Sequence, residues 1–378
     1  MRHEDRSAQD FPGPMRRRGP RPLALHLAHA TAMRAATAIG PTSPLTADPA
    51  LIAGIAAYRR HPFARALVDP PTIWAEGEAR LLDYSHGETG LAATVLFVPS
   101  LINRAYVLDL IEGRSMLRWF AASGIRTVLL DWGWPDRERA WTLTDYVAGR
   151  LDRVIDAVAG PVVLAGYCMG GLLALAAGLR RPDAVRGIAF LATPWDFHAG
   201  INPDAWTGIV PALEPLMALS GTLPVDALQT MLAHPTLDEV ADRYRAFGTE
   251  PQDSFRAQNF VALEDWLADG IPLAAPVARE VLGGWYGANT PATGRWRVAD
   301  VPVDPGKLGV PAFVAIPGRD RIVPPESARA LAAKLPNATV HHAEAGHVGM
   351  VAGSQAEAQL WTPLREWLRT LASRPGAP

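Results

Sequence analysis

The chain reads as an α/β protein built on a mostly parallel sheet, and three features of its 378 residues say so. Short, nearly continuous apolar runs alternate with segments of helical periodicity, the pattern of strands buried on both faces. One such run, Val162 to Ala165, leads through Gly166-Tyr-Cys-Met-Gly-Gly171 into the helical stretch Leu172 to Leu179, a strand, a sharp turn and a helix. The alternation stops from Asp196 to Asp300, where Trp, Pro and helix formers dominate. That span reads as a helical cap inserted over the carboxyl edge of the sheet, where sites in open α/β sheets lie.

Composition narrows the function classes. At 49% hydrophobic and 20% charged residues the chain can bury a large core, and a net charge of -2 gives no general attraction to nucleic acid or to an anionic membrane. A single cysteine excludes an intrachain disulfide and any Cys-rich zinc site. His341 and His342 are neighbours in a strand-like run and point to opposite faces, so no metal is expected. No run has the length needed to span a bilayer. Met15-Arg-Arg-Arg18 followed by Pro22-Leu-Ala-Leu25 superficially resembles a secretory leader, but His26, His29 and Arg34 interrupt the apolar stretch, and a cytoplasmic protein is expected.

In chain order, residues 1–20 are Arg-, Gly- and Pro-rich and predicted to be disordered. Leu25, Ala28, Ala32, Ala36 and Ile39 recur at helical spacing and predict a helix docked on the core. Strands are predicted at Ala92–Val98, Ile125–Leu130, Val162–Ala165, Val185–Leu191, Pro311–Ile316 and Ala338–His342. Helices are predicted at Tyr106–Ala122, Thr144–Val158, Gly171–Arg180, Pro325–Leu335 and Ala356–Leu371. The expected organisation is an extension over 1–45, a first core part over 46–195, the cap over 196–300 and a second core part over 301–378.

The turn between strand and helix is a nucleophile elbow with Cys168 at its tip. Gly166 and Gly170 let strand and helix approach closely, and a strained backbone lifts the sulfur above the sheet edge at a helix N-terminus, a setting that favours a thiolate. The alternative is a buried structural cysteine. An elbow nucleophile needs a base and an orienting acid, in the order nucleophile, acid, histidine. Asp320 in Gly318-Arg-Asp320 and His347 in Gly346-His-Val-Gly349 follow strands in that order. Asp196 is a rival acid; His198, His341 and His342 are rival bases. The oxyanion donors are expected to be the N–H of Met169 and one from Leu101 or Ile102 in the loop after Ala92–Val98. Asn103 and Arg104 there are candidates for substrate contact or for helix capping. Cysteine attacking a thioester yields a thioester of similar energy, which keeps the acyl group ready for transfer to an alcohol. The cysteine therefore favours acyl transfer over ester hydrolysis.

These residues resemble the poly(3-hydroxyalkanoate) synthases, and the length resembles the short catalytic subunit of the two-component, class III type. The resemblance rests on Val98-Pro-Ser-Leu-Ile-Asn-Arg104 with Leu108-Asp-Leu110, Asp131-Trp-Gly-Trp-Pro135 with Thr142–Val147, Gly166-Tyr-Cys-Met-Gly-Gly171, Asp265-Trp266, Trp285-Tyr-Gly-Ala-Asn289, Asp320-Arg-Ile-Val-Pro-Pro325, Gly346-His-Val-Gly-Met350, and Trp361 with Trp367-Leu368. Where family members often carry His after the acid, this chain has Arg321. The resemblance implies an α/β-hydrolase fold with a mostly parallel sheet, flanking helices and a cap. It also implies a Cys168, His347 and Asp320 acyltransferase that polymerises 3-hydroxyacyl-CoA into polyester and releases CoA. The CoA thioester is then substrate, with no separate cofactor. A second synthase subunit, a homo-oligomer and the surface of a polyester granule are the associations it suggests. The alternatives are a Cys-dependent hydrolase, either thioesterase or intracellular depolymerase, and a silent scaffold that keeps the fold.

Overall fold

A computed structural model describes residues 17–37, 48–85, 94–200, 208–233 and 237–372. Its centre is an eight-stranded sheet, numbered here in chain order: β1 Thr72–Glu76, β2 Ala79–Asp83, β3 Thr94–Val98, β4 Arg126–Asp131, β5 Val162–Tyr167, β6 Val185–Leu191, β7 Ala312–Pro317 and β8 Ala338–Ala343. They lie in the order β1-β2-β4-β3-β5-β6-β7-β8. β3 to β8 are parallel; β1 and β2 form an antiparallel hairpin, and β2 runs antiparallel to β4. β5 and β7 are buried at every position, as continuous apolar runs require when helices cover both faces.

The six predicted strands are all present, shifted by at most two residues at each end. The β1–β2 hairpin was not expected, because Thr72–Glu76 is an edge strand with no buried residue and so carries no alternating signal. The predicted helix Tyr106–Ala122 is instead a 3₁₀ turn, Ala105–Leu108, a tight hairpin pairing Asp109–Ile111 with Arg114–Ser115, and a helix over Met116–Ala122. Fully buried Asp109 breaks the pattern: its carboxylate accepts from Arg65, Arg118 and Tyr84. The chain reverses at Gly113, whose φ is 74°.

The chain separates into two compact units, 1–63 with 237–268 and 64–236 with 269–378. The smaller unit packs helices Leu23–Thr37, Pro49–Arg60, Leu237–Phe247 and Phe255–Ala268 around Leu51, Ile55, Tyr58, Tyr244, Phe247 and Val261. Residues 48–63, beyond the boundary drawn at 45/46, thus group with part of the inserted segment. Gly54 permits the closest approach there: a Cβ on it would stand 1.8 Å from the Tyr244 carbonyl oxygen. Helix Leu23–Thr37 docks through Leu23, His26, Leu27 and Ala30, not through the predicted face, since Ala28 and Ala32 are exposed. Burial lowers the His26 pKa, so a neutral imidazole serves as an apolar surface. Ile39 and most of the segment predicted to be disordered lie outside the described residues. Arg17 is described: it pairs with Asp265 at 3.0 Å and donates to the His61 carbonyl at 2.5 Å.

In the larger unit the insertion between β6 and β7 forms helices Ile209–Ser220 and Val225–Ala233, a short pairing of Thr222–Leu223 with Leu273–Ala274, and Ala275–Arg279 running into a π-helical turn, Glu280–Gly287. Its Met217, Leu223, Leu228, Trp285 and Trp296 share one apolar cluster with Met169, Leu172 and Leu173 of the elbow helix. Trp285 packs, with Phe197 and Trp296 at 5.5 and 5.2 Å. Trp266 is buried in the smaller unit, and Trp206 lies outside the described residues. Among the described residues no helix is long and apolar enough to cross a membrane.

Candidate active site

β5 ends at Tyr167 and the helix Met169–Arg180 begins two residues later, so the whole reversal falls on Cys168. Its φ of 55° and ψ of -127° lie outside the regions that a side chain favours, a strain of order 1–3 kcal/mol. The surroundings impose it: the Cys168 N–H donates to the Leu191 carbonyl at 2.8 Å, and its own carbonyl accepts from Gly171 at 3.0 Å. The glycines leave no room for side chains. A Cβ on Gly166 would lie 2.4 Å from the Gly171 Cα, and one on Gly170 would lie 2.0 Å from the Val98 carbonyl oxygen. The turn leaves Cys168 partly buried, packed on one side against the apolar core but not sealed within it.

Loops after β7 and β8 supply the partners. His347 Nδ1 and Asp320 Oδ2 are 2.6 Å apart, with the Asp320 side chain fully buried and that of His347 nearly so. The other Asp320 oxygen accepts the N–H groups of Ile322 and Val323 at 2.8 and 2.9 Å, which fixes the carboxylate. The Cys168 sulfur acts electrostatically on the imidazole, and with Nδ1 engaged by Asp320, Nε2 is the ring nitrogen that remains for it. Burial alone lowers the basicity of His347; the Asp320 carboxylate and then the Cys168 sulfur outweigh it and raise the imidazole well above 6.5. An imidazole held this basic takes up a proton readily.

The rivals are engaged elsewhere. Asp196 accepts from the His198 N–H at 3.0 Å and from Asn289 Nδ2 at 2.7 Å. His198 Nε2 meets the Tyr286 carbonyl and His341 Nε2 meets that of Gln359, while His342 is exposed. Tyr167, which sequence reading passed over, donates to the His347 carbonyl at 3.3 Å and lies against its ring at 5.2 Å. Burial first, then Cys168 and Asp320, pushes the Tyr167 phenol well up, so it stays protonated as a donor. An apolar strand ending in Tyr just before the nucleophile was the available signal.

The loop after β3 is held against the elbow. Trp132 Nε1 donates to the Pro99 carbonyl at 3.0 Å, and the Ile102 carbonyl accepts from Ile271 at 2.9 Å. The Ile102 N–H is committed to Ser100 Oγ at 3.1 Å. Leu101 is then the other residue expected to donate from this loop. Met169, first in its helix, has an N–H with no partner within that helix. Asn103 is a strut: its Oδ1 accepts from Gln229 at 3.1 Å and its backbone bridges Gly270. Arg104 pairs with Asp131 at 3.5 Å. Among the described residues no group of three or more His, Cys, Asp or Glu suits a metal ion.

Comparison with known proteins places this geometry. The α/β hydrolase fold family matches residues 94–353. The chain is 29% identical over 314 residues to the poly(3-hydroxyalkanoate) polymerase subunit PhaC of Haloferax mediterranei, a match covering 78% of this chain and 62% of that one, less than two thirds of its length. It is 28% identical over 309 residues to the subunit of the same name from Allochromatium vinosum, covering 78% and 87%. Among solved structures, a monoacylglycerol lipase from Paleococcus ferrophilus shares the fold, with TM-score 0.51 and 16% identity over 78% of this chain and 100% of that one. With the elbow, the two partner loops and a match running from β3 to just past His347, the chain belongs to the α/β hydrolase fold family.

Proposed function

We propose that the protein is an acyltransferase that polymerises 3-hydroxyacyl-CoA into poly(3-hydroxyalkanoate). The observation that carries the reading is a partly buried cysteine at the strained elbow tip, electrostatically coupled to a histidine that a buried aspartate holds at 2.6 Å. The names of the matching polymerase subunits supply the substrate class.

In the first step the Cys168 sulfur gives its proton to His347 Nε2 and attacks the thioester carbonyl. A carbon–sulfur bond forms as the bond to CoA breaks, and the departing CoA sulfur takes the proton from His347. Negative charge on the carbonyl oxygen is met by the N–H of Met169 and that of Leu101. In the second step a 3-hydroxyl, deprotonated by the same imidazole, attacks the acyl-cysteine; an ester forms and the sulfur is freed. Asp320 keeps Nε2 facing the sulfur throughout. The acyl group arrives already activated, so the cycle needs no resident cofactor. The protein works in the cytoplasm at the surface of its polymer, with a second synthase subunit or another copy of itself as partner.

Purified protein incubated with 3-hydroxybutyryl-CoA is expected to release CoA and build polymer, alone or with an added partner subunit. CoA with only free acid would make it a hydrolase; no CoA under either condition would remove the enzymatic reading.

A further inference from the structure

Tyr167 is the last residue of β5 and stands directly before the nucleophile. It is buried and pairs in register with Leu191 of β6, so the sheet fixes its backbone. Its side chain meets the base in two ways. The phenol donates to the His347 carbonyl at 3.3 Å, and the ring centroid stands 5.2 Å from that of the imidazole with the planes 35° apart, nearer to stacking than to an edge contact. His347 sits in a short turn ahead of the four-residue helix Gly349–Ala352. There Met350 and Ala352 donate to the carbonyls of Gly346 and Val348, and the His347 carbonyl between them accepts from Tyr167. One strand end thus carries the nucleophile on its next residue and holds the base through its own side chain.

A cation within about 6 Å of an aromatic ring centroid is attracted to the ring face, most strongly where water is excluded. When His347 takes the Cys168 proton it becomes a buried imidazolium, faced by Asp320, Cys168 and Tyr167. We propose that Tyr167 is a positioning residue for the base: its phenol holds the turn that carries His347, and its ring supports the imidazolium formed at each proton transfer. The proposal rests on the acyl-transfer reading for its place in the cycle, whereas the contact between Tyr167 and His347 can be tested without substrate.

The test uses Tyr167→Phe, which keeps the ring and removes the phenol, and Tyr167→Leu, which removes both. The titration midpoint of His347 is followed by NMR in protein labelled at histidine, the signal being assigned by its loss in His347→Gln. In parallel, kcat and KM are measured from CoA release with 3-hydroxybutyryl-CoA. Tyr167→Leu is expected to lower the His347 midpoint by about 0.5 to 1.5 pH units. Tyr167→Phe is expected to leave the midpoint in place and to lower kcat about two- to fivefold at unchanged KM, a modest loss because a 3.3 Å bond is long for an O–H donor. An unmoved midpoint in Tyr167→Leu, or an unchanged kcat in Tyr167→Phe, overturns the proposal while leaving acyl transfer intact. A lowered midpoint in Tyr167→Leu, with no CoA released by the unsubstituted protein, overturns acyl transfer while the support from the ring stands. Tyr167→Phe also covers the case in which Tyr167→Leu does not fold.

Discussion

At the residue scale the account turns on three side chains and on which of them holds a proton. Cys168→Ala is expected to reduce CoA release to background with the fold retained, because the residue is only partly buried and the change removes a single atom from the edge of the core. Asp320→Asn is expected to slow turnover by about 10²- to 10⁴-fold, measured as the steady-state rate of CoA release. Asp196→Asn should leave that rate near normal, since Asp196 serves His198 and Asn289 instead. A pH dependence follows as well. His347 titrates well above 6.5 when folded and near 6.5 when unfolded. The stabilisation from that raised value is complete below about pH 6.5 and is lost as pH rises through the folded value. The gap in unfolding free energy between the unsubstituted protein and Asp320→Asn should therefore be wider at pH 6 than at pH 9, as denaturant titrations at the two pH values would reveal.

At the scale of elements, the elbow works because two glycines let β5, its helix and the loop after β3 close together. Gly170→Ala sets a methyl group 2.0 Å from the Val98 carbonyl oxygen. Relief requires moving either the elbow helix or the loop that carries Leu101, at a cost of about 1–3 kcal/mol or more. The expected result is a lowered unfolding midpoint, with CoA release reduced further than the loss of folded protein explains. Legibility in the sequence follows the same physics. Strands buried on both faces, the Gly-flanked cysteine and the order of Asp320 and His347 are local patterns, and they were readable. The β1–β2 hairpin was not, since an edge strand without a buried residue lacks a period. Nor was the break at Asp109, because its three partners come from distant or reversed chain. The sequence offers Asn103 as a substrate contact or a helix cap, and its hydrogen bond to Gln229, 126 residues away, is one that no local signal announces.

At the scale of the whole molecule, the two units bring separate titrating groups to the chain. The smaller one buries Glu264, whose pKa is raised first by desolvation and then by the neighbouring Asp265, against the pull of Arg243 and Tyr244. A carboxyl raised on folding binds more protons in the folded state, so stability falls as pH climbs from the unfolded value to the folded one. Glu264→Gln is expected to flatten that decline, read by hydrogen exchange in residues 237–268 between pH 5 and pH 8, and to leave the pH response of His347 unchanged. Assembly of this unit from the N-terminal helices and a distant segment was hidden from sequence reading, because neither part carries a pattern that names the other.

The most direct test of the central claim is the mass of the Cys168 peptide after brief mixing with 3-hydroxybutyryl-CoA. An increment of one hydroxybutyryl group on Cys168, matched by an equal amount of released CoA, is the expected result. CoA released while Cys168 stays unmodified, or the acyl group found on another residue, would contradict it.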